Sequence, residues 1–171
     1  KNLSGITLEL GGKSPVIIDG TSNMKTTAQK IAWGKTMNSG QTCIAPDFAM
    51  VKKEHLATFE KEFISAVNKF YNANQKGIEN AEEYGRMVNE NNFERVVNLL
   101  NDAKEKGATI LFGGKIDKTQ KFIEPTLLTN ISLDMKIMQD EIFGPLLPVI
   151  TFQKNEEVIQ LLQKMPSPLA L

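Results

Sequence analysis

Hydrophobic and polar residues follow two periods along this chain, a period of two that is typical of strands and one of about 3.6 that is typical of helices. Alternation or a short apolar run predicts six strands. They cover residues 6–10, 15–19, 48–52, 108–112, 122–128 and 146–152. Pro125 interrupts the fifth of these, which predicts an edge position or a bulge there, because proline cannot donate a ladder hydrogen bond.

Apolar residues that recur on one face predict the helices. Asn23 is placed to cap the first helix, which ends near Ser39 and Gly40. Further helices cover 54–71, 91–106 and 156–164, and a short helical or irregular piece covers 133–139. Because strands alternate with helices, the fold class is α/β. No change in composition marks an internal boundary, so the 171 residues are expected to form one domain.

Composition excludes several classes of function. Lys+Arg and Asp+Glu both total 20, so nothing favours nucleic acid or an anionic membrane surface as a partner. One Cys and one His exclude an internal disulfide framework and a Cys/His zinc cluster. No apolar run reaches the roughly 20 residues of a membrane span. A reducing cytoplasm is the expected compartment.

Three short stretches carry candidate chemistry. Residues 38–43 (NSGQTC) end on the single cysteine, Cys43, in a glycine-containing turn whose N–H groups can face a thiolate or an oxyanion. Residues 8–15 (LELGGKSP) hold Glu9 before a double-glycine turn, and residues 141–145 (EIFGP) hold Glu141. Taken singly, each also fits an ordinary structural role, since free cysteines are often buried and carboxylates often lie at strand ends.

In this order, the three stretches closely resemble the hallmarks of the aldehyde dehydrogenase superfamily. The resemblance runs from Leu8 nearly to the end of the chain, and residues 37–48 are similar to the class 3 and fatty-aldehyde dehydrogenase branch. It implies a three-layer α/β/α fold with a mostly parallel sheet, in which residues 1–171 form a single catalytic domain. The dinucleotide-binding domain would lie upstream, and the C-terminal return segment would be truncated.

The resemblance also implies a covalent mechanism. Cys43 would add to an aldehyde carbonyl, and hydride transfer to a nicotinamide would leave a thioester on the same sulfur. Glu9 would serve as the general base for hydrolysis, which yields a carboxylic acid. The Cys43 backbone N–H would help to stabilise the oxyanion, together with an Asn side chain from the upstream segment.

Three further residues match cofactor contacts of the family. Glu141 matches the carboxylate that accepts hydrogen bonds from the nicotinamide ribose, and Phe143 matches the aromatic that packs near the nicotinamide. Gly11 would let backbone and cofactor approach closely. Lys13 is expected to face solvent or a structural partner. The cofactor would be NAD or NADP, the substrate an aldehyde, and the full-length protein a homodimer or homotetramer.

The chain opens on Lys1, and residues 167–171 resemble the start of a strand, so we expect a piece of a longer polypeptide. It contains no Gly-rich phosphate loop, and the isolated chain is expected to oxidise aldehydes poorly or not at all. Two alternatives remain open. One is a non-catalytic structural or interaction domain that retains the fold; the other is a thiol hydrolase with His55 as its base.

Overall fold

The computed structural model describes residues 4–171, and strands and helices alternate along it as the sequence predicts. The strands are β1 (Pro15–Ile18), β2 (Phe48–Lys52), β3 (Thr109–Phe112), β4 (Ile116–Asp117), β5 (Phe122–Ile123), β6 (Thr126–Thr129) and β7 (Leu146–Phe152). The α-helices are α1 (Met24–Thr36), α2 (Leu56–Tyr71), α3 (Glu90–Glu105), α4 (Lys136–Gln139) and α5 (Asn155–Leu162). Short 3₁₀ turns occupy Met37–Gly40, Lys53–His55 and Ile78–Asn80.

Five strands form the main sheet, in the order β1-β2-β7-β6-β3. The pairs β1 with β2, β2 with β7 and β6 with β7 are parallel, whereas β3 runs antiparallel to β6. Strands β4 and β5 form a separate antiparallel pair. The predicted mostly parallel sheet is confirmed.

Helices cover both faces of this sheet. Successive side chains of a strand point to opposite faces. In β2, Phe48 and Met50 accordingly join the hydrophobic cluster under α3, α4 and α5. Ala49 and Val51 join the cluster under α1 and α2. The result is the predicted three-layer α/β/α arrangement.

The helix ends follow local chemistry. Asn23 caps α1 by accepting a hydrogen bond from the Thr26 N–H (3.0 Å), and Asn89 caps α3 in the same way from Asn92 (2.9 Å). Gly107, with φ of 95°, follows α3 in the left-handed conformation that suits a helix end. In the described part of the chain, no helix is both long and apolar enough to cross a membrane.

The predictions at the two ends of the chain are wrong. Residues 4–14 contain no strand, and the apolar side chains of the predicted strand 6–10 are exposed, with Ile6 at 83% and Leu8 at 72%. An alternating pattern gives a strand only where a neighbouring strand completes its hydrogen bonds, and the first ladder in the described residues begins at Pro15. Residues 167–171 likewise form no strand.

The predicted strand 122–128 is two strands in two sheets. Pro125 separates β5, which pairs with β4, from β6, which lies inside the main sheet between β7 and β3. Proline therefore marks a passage between sheets, and the predicted edge position is wrong for β6. The chain re-enters the main sheet at Thr126, whose N–H donates to the Pro145 carbonyl (2.9 Å).

Replacing Phe63 with alanine tests the packing of α2 on the sheet. The Phe63 side chain is 1% exposed, so Phe63→Ala should lower the free energy of unfolding of the full-length protein by about 3–5 kcal/mol. Lys61→Ala, an exposed substitution on the same helix, is the control and should change it by less than about 0.5 kcal/mol. Urea unfolding measures both; similar values for the two variants would contradict the described core.

Candidate active site

The three stretches singled out in the sequence meet at one edge of the sheet. They lead into β1, β2 and β7, with four residues between Cys43 and β2, and these strands are parallel neighbours. Parallel strands place their amino ends at the same edge, so the stretches converge there. Ligands of open α/β sheets ordinarily bind at the carboxyl ends of the strands, so this placement is unusual.

Cys43 lies half-buried in the loop between α1 and β2, as predicted. The loop begins with three consecutive residues in the left-handed region, Asn38, Ser39 and Gly40, with φ of 51°, 54° and 73°. A side chain on Gly40 would collide with the Gly144 carbonyl oxygen, so the backbones of the cysteine loop and of the 141–145 segment touch here. Within residues 4–171 the Cys43 N–H makes no hydrogen bond, which leaves it available to an oxyanion.

Gln41 holds the cysteine loop in place through its side-chain amide. Its Nε2 donates to the carbonyls of Asn38 (2.9 Å) and Arg86 (3.1 Å), and its Oε1 accepts from the Val88 N–H (2.9 Å). Ser39 adds a hydrogen bond from its hydroxyl to the Gly85 carbonyl (2.6 Å). The loop is therefore tied to residues 85–88, which precede α3.

Two of the predicted cofactor residues are in direct contact. A Cβ on Gly11 would lie 2.5 Å from Oε2 of Glu141, so a side chain at this position would displace that carboxylate from its present place. No described residue donates a hydrogen bond to the Glu141 carboxylate, which is half-buried. Both of its oxygens therefore keep their capacity to accept hydrogen bonds from a bound ligand.

Phe143 adopts a left-handed conformation with φ of 43°, which is unfavourable for an aromatic residue. Arg95 of α3 holds the surrounding backbone. Its guanidinium donates to the carbonyls of Glu141 (3.1 Å), Ile142 (2.8 Å) and Phe143 (3.4 Å).

Lys13 and Asp47 form a mostly buried ion pair, with side chains 10% and 4% exposed. The other Asp47 oxygen accepts from the Ile142 N–H (2.8 Å), and Lys13 also donates to the carbonyls of Ile137 (2.8 Å) and Asp140 (3.1 Å). The expected structural partner of Lys13 is thus Asp47. The pair connects the segments that precede β1, β2 and β7.

Lys35, in the last turn of α1, is a buried lysine that is 1% exposed. Burial lowers the pKa of Lys35 to about 8, and repulsion from Lys13 acts in the same direction. The Asp47 and Glu141 carboxylates attract the ammonium and partly oppose this shift. The Lys35 ammonium therefore lies close enough to the Glu141 carboxylate for the two charges to attract each other.

Glu9 and His55 lie outside this cluster. Glu9 belongs to the exposed segment 4–10 and makes no hydrogen bond to another described residue, so its role as a general base stays a prediction. His55 follows β2, whereas Cys43 precedes it, and the five residues of β2 span about 13 Å between them. The distance argues against a Cys43–His55 pair, which needs hydrogen-bond reach.

Large apolar side chains are exposed on either side of the cysteine. Trp33 and Met37 precede it and are 57% and 38% exposed, and Ile44 follows it at 61%. Exposed apolar surface marks a binding site where it is contiguous, so these three residues are candidates for contacts with an apolar ligand.

Sequence reasoning gave no role to four residues that shape this site, namely Lys35, Gln41, Asp47 and Arg95. Gln41 and Asp47 lie inside or beside a stretch that was already recognised, so their proximity to Cys43 was the available signal. Lys35 and Arg95 lie on helices, where a charged residue ordinarily indicates a solvated face.

Comparison with known proteins agrees with this arrangement. The model of a family described as "Aldehyde dehydrogenase family" matches residues 1–170. The chain is 39% identical to aldehyde dehydrogenase family 3 member A2 of Rattus norvegicus, over all of the chain and 34% of that protein. It spans between 34% and 38% of the length of the curated relatives it matches.

Solved structures share the fold. The substrate-bound state of Staphylococcus aureus AldH superposes with a TM-score of 0.87 at 40% identity, over 94% of this chain and 34% of that one. An indole-3-acetaldehyde dehydrogenase in complex with NAD+ superposes with a TM-score of 0.77 at 29% identity, over 91% of this chain and 32% of that one.

Substitution of Gln41 tests whether its amide positions Cys43. In the full-length protein, Gln41→Ala should slow alkylation of Cys43 by iodoacetamide about tenfold, because three hydrogen bonds that fix the loop are lost. Gln139→Ala, at an exposed glutamine of α4, is the control and should leave the rate unchanged. An unchanged alkylation rate in Gln41→Ala would show that the loop is held by other contacts.

Lys35→Met should stabilise the protein in a pH-dependent way. Below pH 8 the lysine is charged in both the folded and the unfolded state, so the folded state bears the full cost of the buried charge. Between pH 8 and 10.5 only the unfolded state stays charged, and the cost falls steadily as the pH approaches 10.5. The variant should gain up to about 3 kcal/mol at pH 7 and progressively less above pH 8. Urea unfolding across this range measures the gain, with exposed Lys30→Met as control. A gain that is constant or grows with pH would contradict it.

Proposed function

Because this chain belongs to the aldehyde dehydrogenase family, we propose that it is the thiol-bearing catalytic part of an enzyme that oxidises aldehydes to carboxylic acids with NAD or NADP. The observation that supports this best is the backbone contact between Gly40 of the cysteine loop and Gly144 of the 141–145 segment. It brings the loop of Cys43 and the segment of Glu141 and Phe143 together at one edge of the sheet, which supports the roles proposed for them. As the chain spans about a third of its relatives, the proposal concerns the full-length protein.

Cys43 begins the reaction. Its thiolate attacks the aldehyde carbonyl carbon, forming a C–S bond and a tetrahedral thiohemiacetal oxyanion. The free N–H of Cys43 donates to that oxygen, and the fixed loop keeps the donor in place without reorganisation. Loss of hydride from the same carbon then leaves a thioester on Cys43.

The residues around Glu141 suit a nicotinamide nucleotide. The Glu141 carboxylate has two unoccupied oxygens that would accept hydrogen bonds from ribose hydroxyls, while Gly11 leaves space beside it. Phe143, held in its left-handed conformation, would pack near the nicotinamide ring. When bound, the nicotinamide accepts the hydride. The indole-3-acetaldehyde dehydrogenase that shares this fold was solved with NAD+, which supports the same cofactor class here.

Hydrolysis of the thioester completes the cycle, with Glu9 as the proposed general base. A carboxylate in this role removes a proton from the attacking water, after which the C–S bond breaks and the Cys43 thiolate is regenerated. The exposed position of Glu9 gives it access to water.

The substrate proposal is an aldehyde with a medium-chain, long-chain or aromatic group. Trp33, Met37 and Ile44 supply an apolar surface next to the cysteine loop against which such a group would pack. The similarity to family 3 member A2 supports this branch. A cytoplasmic homodimer or homotetramer completes the proposal for the full-length protein.

The competing hypothesis is a structural or interaction domain that retains the fold without catalysis. It leaves unexplained why the Cys43 N–H and the Glu141 carboxylate keep unused hydrogen-bonding capacity at the same sheet edge. Under this hypothesis, substitution of Cys43 would change no measurable activity.

Cys43→Ala and Glu9→Gln should affect different steps in the full-length protein. With a medium-chain aldehyde, Cys43→Ala should form no reduced nicotinamide from NAD or NADP, because no thiohemiacetal can form. Glu9→Gln should give a burst of about one reduced nicotinamide per site and then turn over at least about 100-fold more slowly, because the thioester persists. Stopped-flow absorbance at 340 nm separates the two.

The isolated chain is the matched comparison in this assay. It should show no aldehyde-dependent reduction while its Cys43 still reacts with iodoacetamide. Full activity in Cys43→Ala would overturn the thiolate mechanism. The same aldehyde-dependent rate in the isolated chain and the full-length protein would refute the dependence on segments outside it.

A further inference from the structure

Arg95 makes an unusual set of contacts for a residue on the amphipathic helix α3. Its Nη1 donates to the Glu141 carbonyl, and its Nη2 donates to the carbonyls of Ile142 and Phe143, at 3.1, 2.8 and 3.4 Å. No carboxylate within residues 4–171 forms a salt bridge with Arg95. The positive charge is thus directed at the carbonyl dipoles of three consecutive residues.

These contacts fix the backbone on both sides of Phe143. Three successive carbonyls can face one guanidinium only if the chain departs from an extended conformation, and Phe143 supplies that departure with φ of 43°. A left-handed conformation is strained for an aromatic residue and persists only when its surroundings impose it. The Ile142 N–H is held from the other side by Asp47 (2.8 Å), so both polar groups of that residue are bound to charged side chains.

The neighbouring residue of α3 strengthens the same attachment. A Cβ on Gly144 would lie 2.8 Å from a methyl group of Val96, so α3 packs closely against the segment just after Phe143. Residues 95 and 96 therefore bind the 141–144 backbone jointly, one through hydrogen bonds and the other through packing. The directions in which the Glu141 and Phe143 side chains leave this backbone are set by these contacts.

We infer that Arg95 is a positioning residue for the cofactor: by binding the carbonyls of Glu141, Ile142 and Phe143, it orients the Glu141 carboxylate and the Phe143 ring toward the nicotinamide half of the nucleotide. Arg95 acts through the backbone carbonyls that it binds. The inference rests on the proposed function, because it assigns Glu141 and Phe143 to the nicotinamide nucleotide.

Arginine is specific to this role. Its planar fork presents several N–H donors to adjacent acceptors at once, whereas a lysine ammonium is a single point charge on a flexible chain. Arg95→Lys should therefore retain part of the effect, and Arg95→Met, which keeps much of the apolar stem, should remove it. A graded loss of cofactor affinity with retained esterase activity is a signature that general destabilisation would not produce.

The experiment measures two activities of the full-length protein. Aldehyde oxidation depends on the cofactor, whereas hydrolysis of 4-nitrophenyl acetate proceeds through acylation of Cys43 and hydrolysis of the thioester without any nucleotide. We expect Arg95→Met to raise the KM for NAD or NADP by about tenfold or more, with Arg95→Lys between it and the wild type. Esterase activity should stay within about twofold of the wild type in both variants.

Arg86, the other arginine of the chain, supplies the matched control. It also donates to backbone carbonyls, those of Tyr84 (2.8 Å) and Glu79 (2.6 Å), but it lies beside the attachment of the cysteine loop through Gln41. Arg86→Met should therefore lower esterase activity and cysteine alkylation more than it changes the KM for the cofactor. The two arginine variants are expected to show opposite patterns.

Each outcome decides the inference. A cofactor KM within twofold of the wild type in Arg95→Met would overturn it, as would an equal fall of both activities or the failure of both Arg95 variants to fold. An active wild type with unchanged Arg95 variants removes this inference alone. A wild type that forms no reduced nicotinamide from any aldehyde removes the proposed function and, with it, the assigned role of Arg95.

Discussion

The carboxylate of Asp47 is the group on which the arrangement of the site depends. A buried charge is tolerated only with partners, and Asp47 has two, the Lys13 ammonium and the Ile142 N–H. These partners belong to the segments before β1 and β7, while Asp47 itself precedes β2. One side chain therefore connects the amino ends of three neighbouring strands. Loss of the Lys13 ammonium would leave a buried carboxylate without its counter-charge, an effect of about 3–5 kcal/mol.

Around this connection, side-chain hydrogen bonds hold the backbone of the two loops that carry the candidate site residues. Gln41 saturates its amide on the loop that bears Cys43, and Arg95 directs its guanidinium at the carbonyls next to Phe143. Both loops contain non-glycine residues in the left-handed region, which cost energy unless the surroundings impose them. Rigid placement of donors and acceptors is what a reaction with developing negative charge requires.

Most of the fold was predictable from the sequence because its signals are local. The apolar face of α2, the cap at Asn23 and the buried run of β7 each determine an element without reference to distant residues. The predictions failed where a partner decides the outcome. Residues 6–10 alternate like a strand but have no neighbouring strand in the described residues, and Pro125 separates two sheets that share no local signal.

The same limit applies to the site. Cys43, Glu141 and Phe143 were recognisable because their residue types lie in distinctive stretches, whereas their proximity follows from the order β1-β2-β7, which the sequence pattern does not specify. Arg95 carried no signal at all, because its partners are carbonyls about 46 residues away in sequence and carbonyls are present at every position.

The contact between Gly40 and Gly144 also determines where this protein can diverge. A side chain on Gly40 would displace the Gly144 carbonyl, and one on Gly144 would collide with Val96 of α3, so a substitution at either glycine disturbs the 141–145 segment. Trp33, Met37 and Ile44, by contrast, project from the same region with little around them. The exposed apolar residues can therefore vary independently of the backbone, whereas Gly40 and Gly144 cannot be changed without moving the segments packed against them.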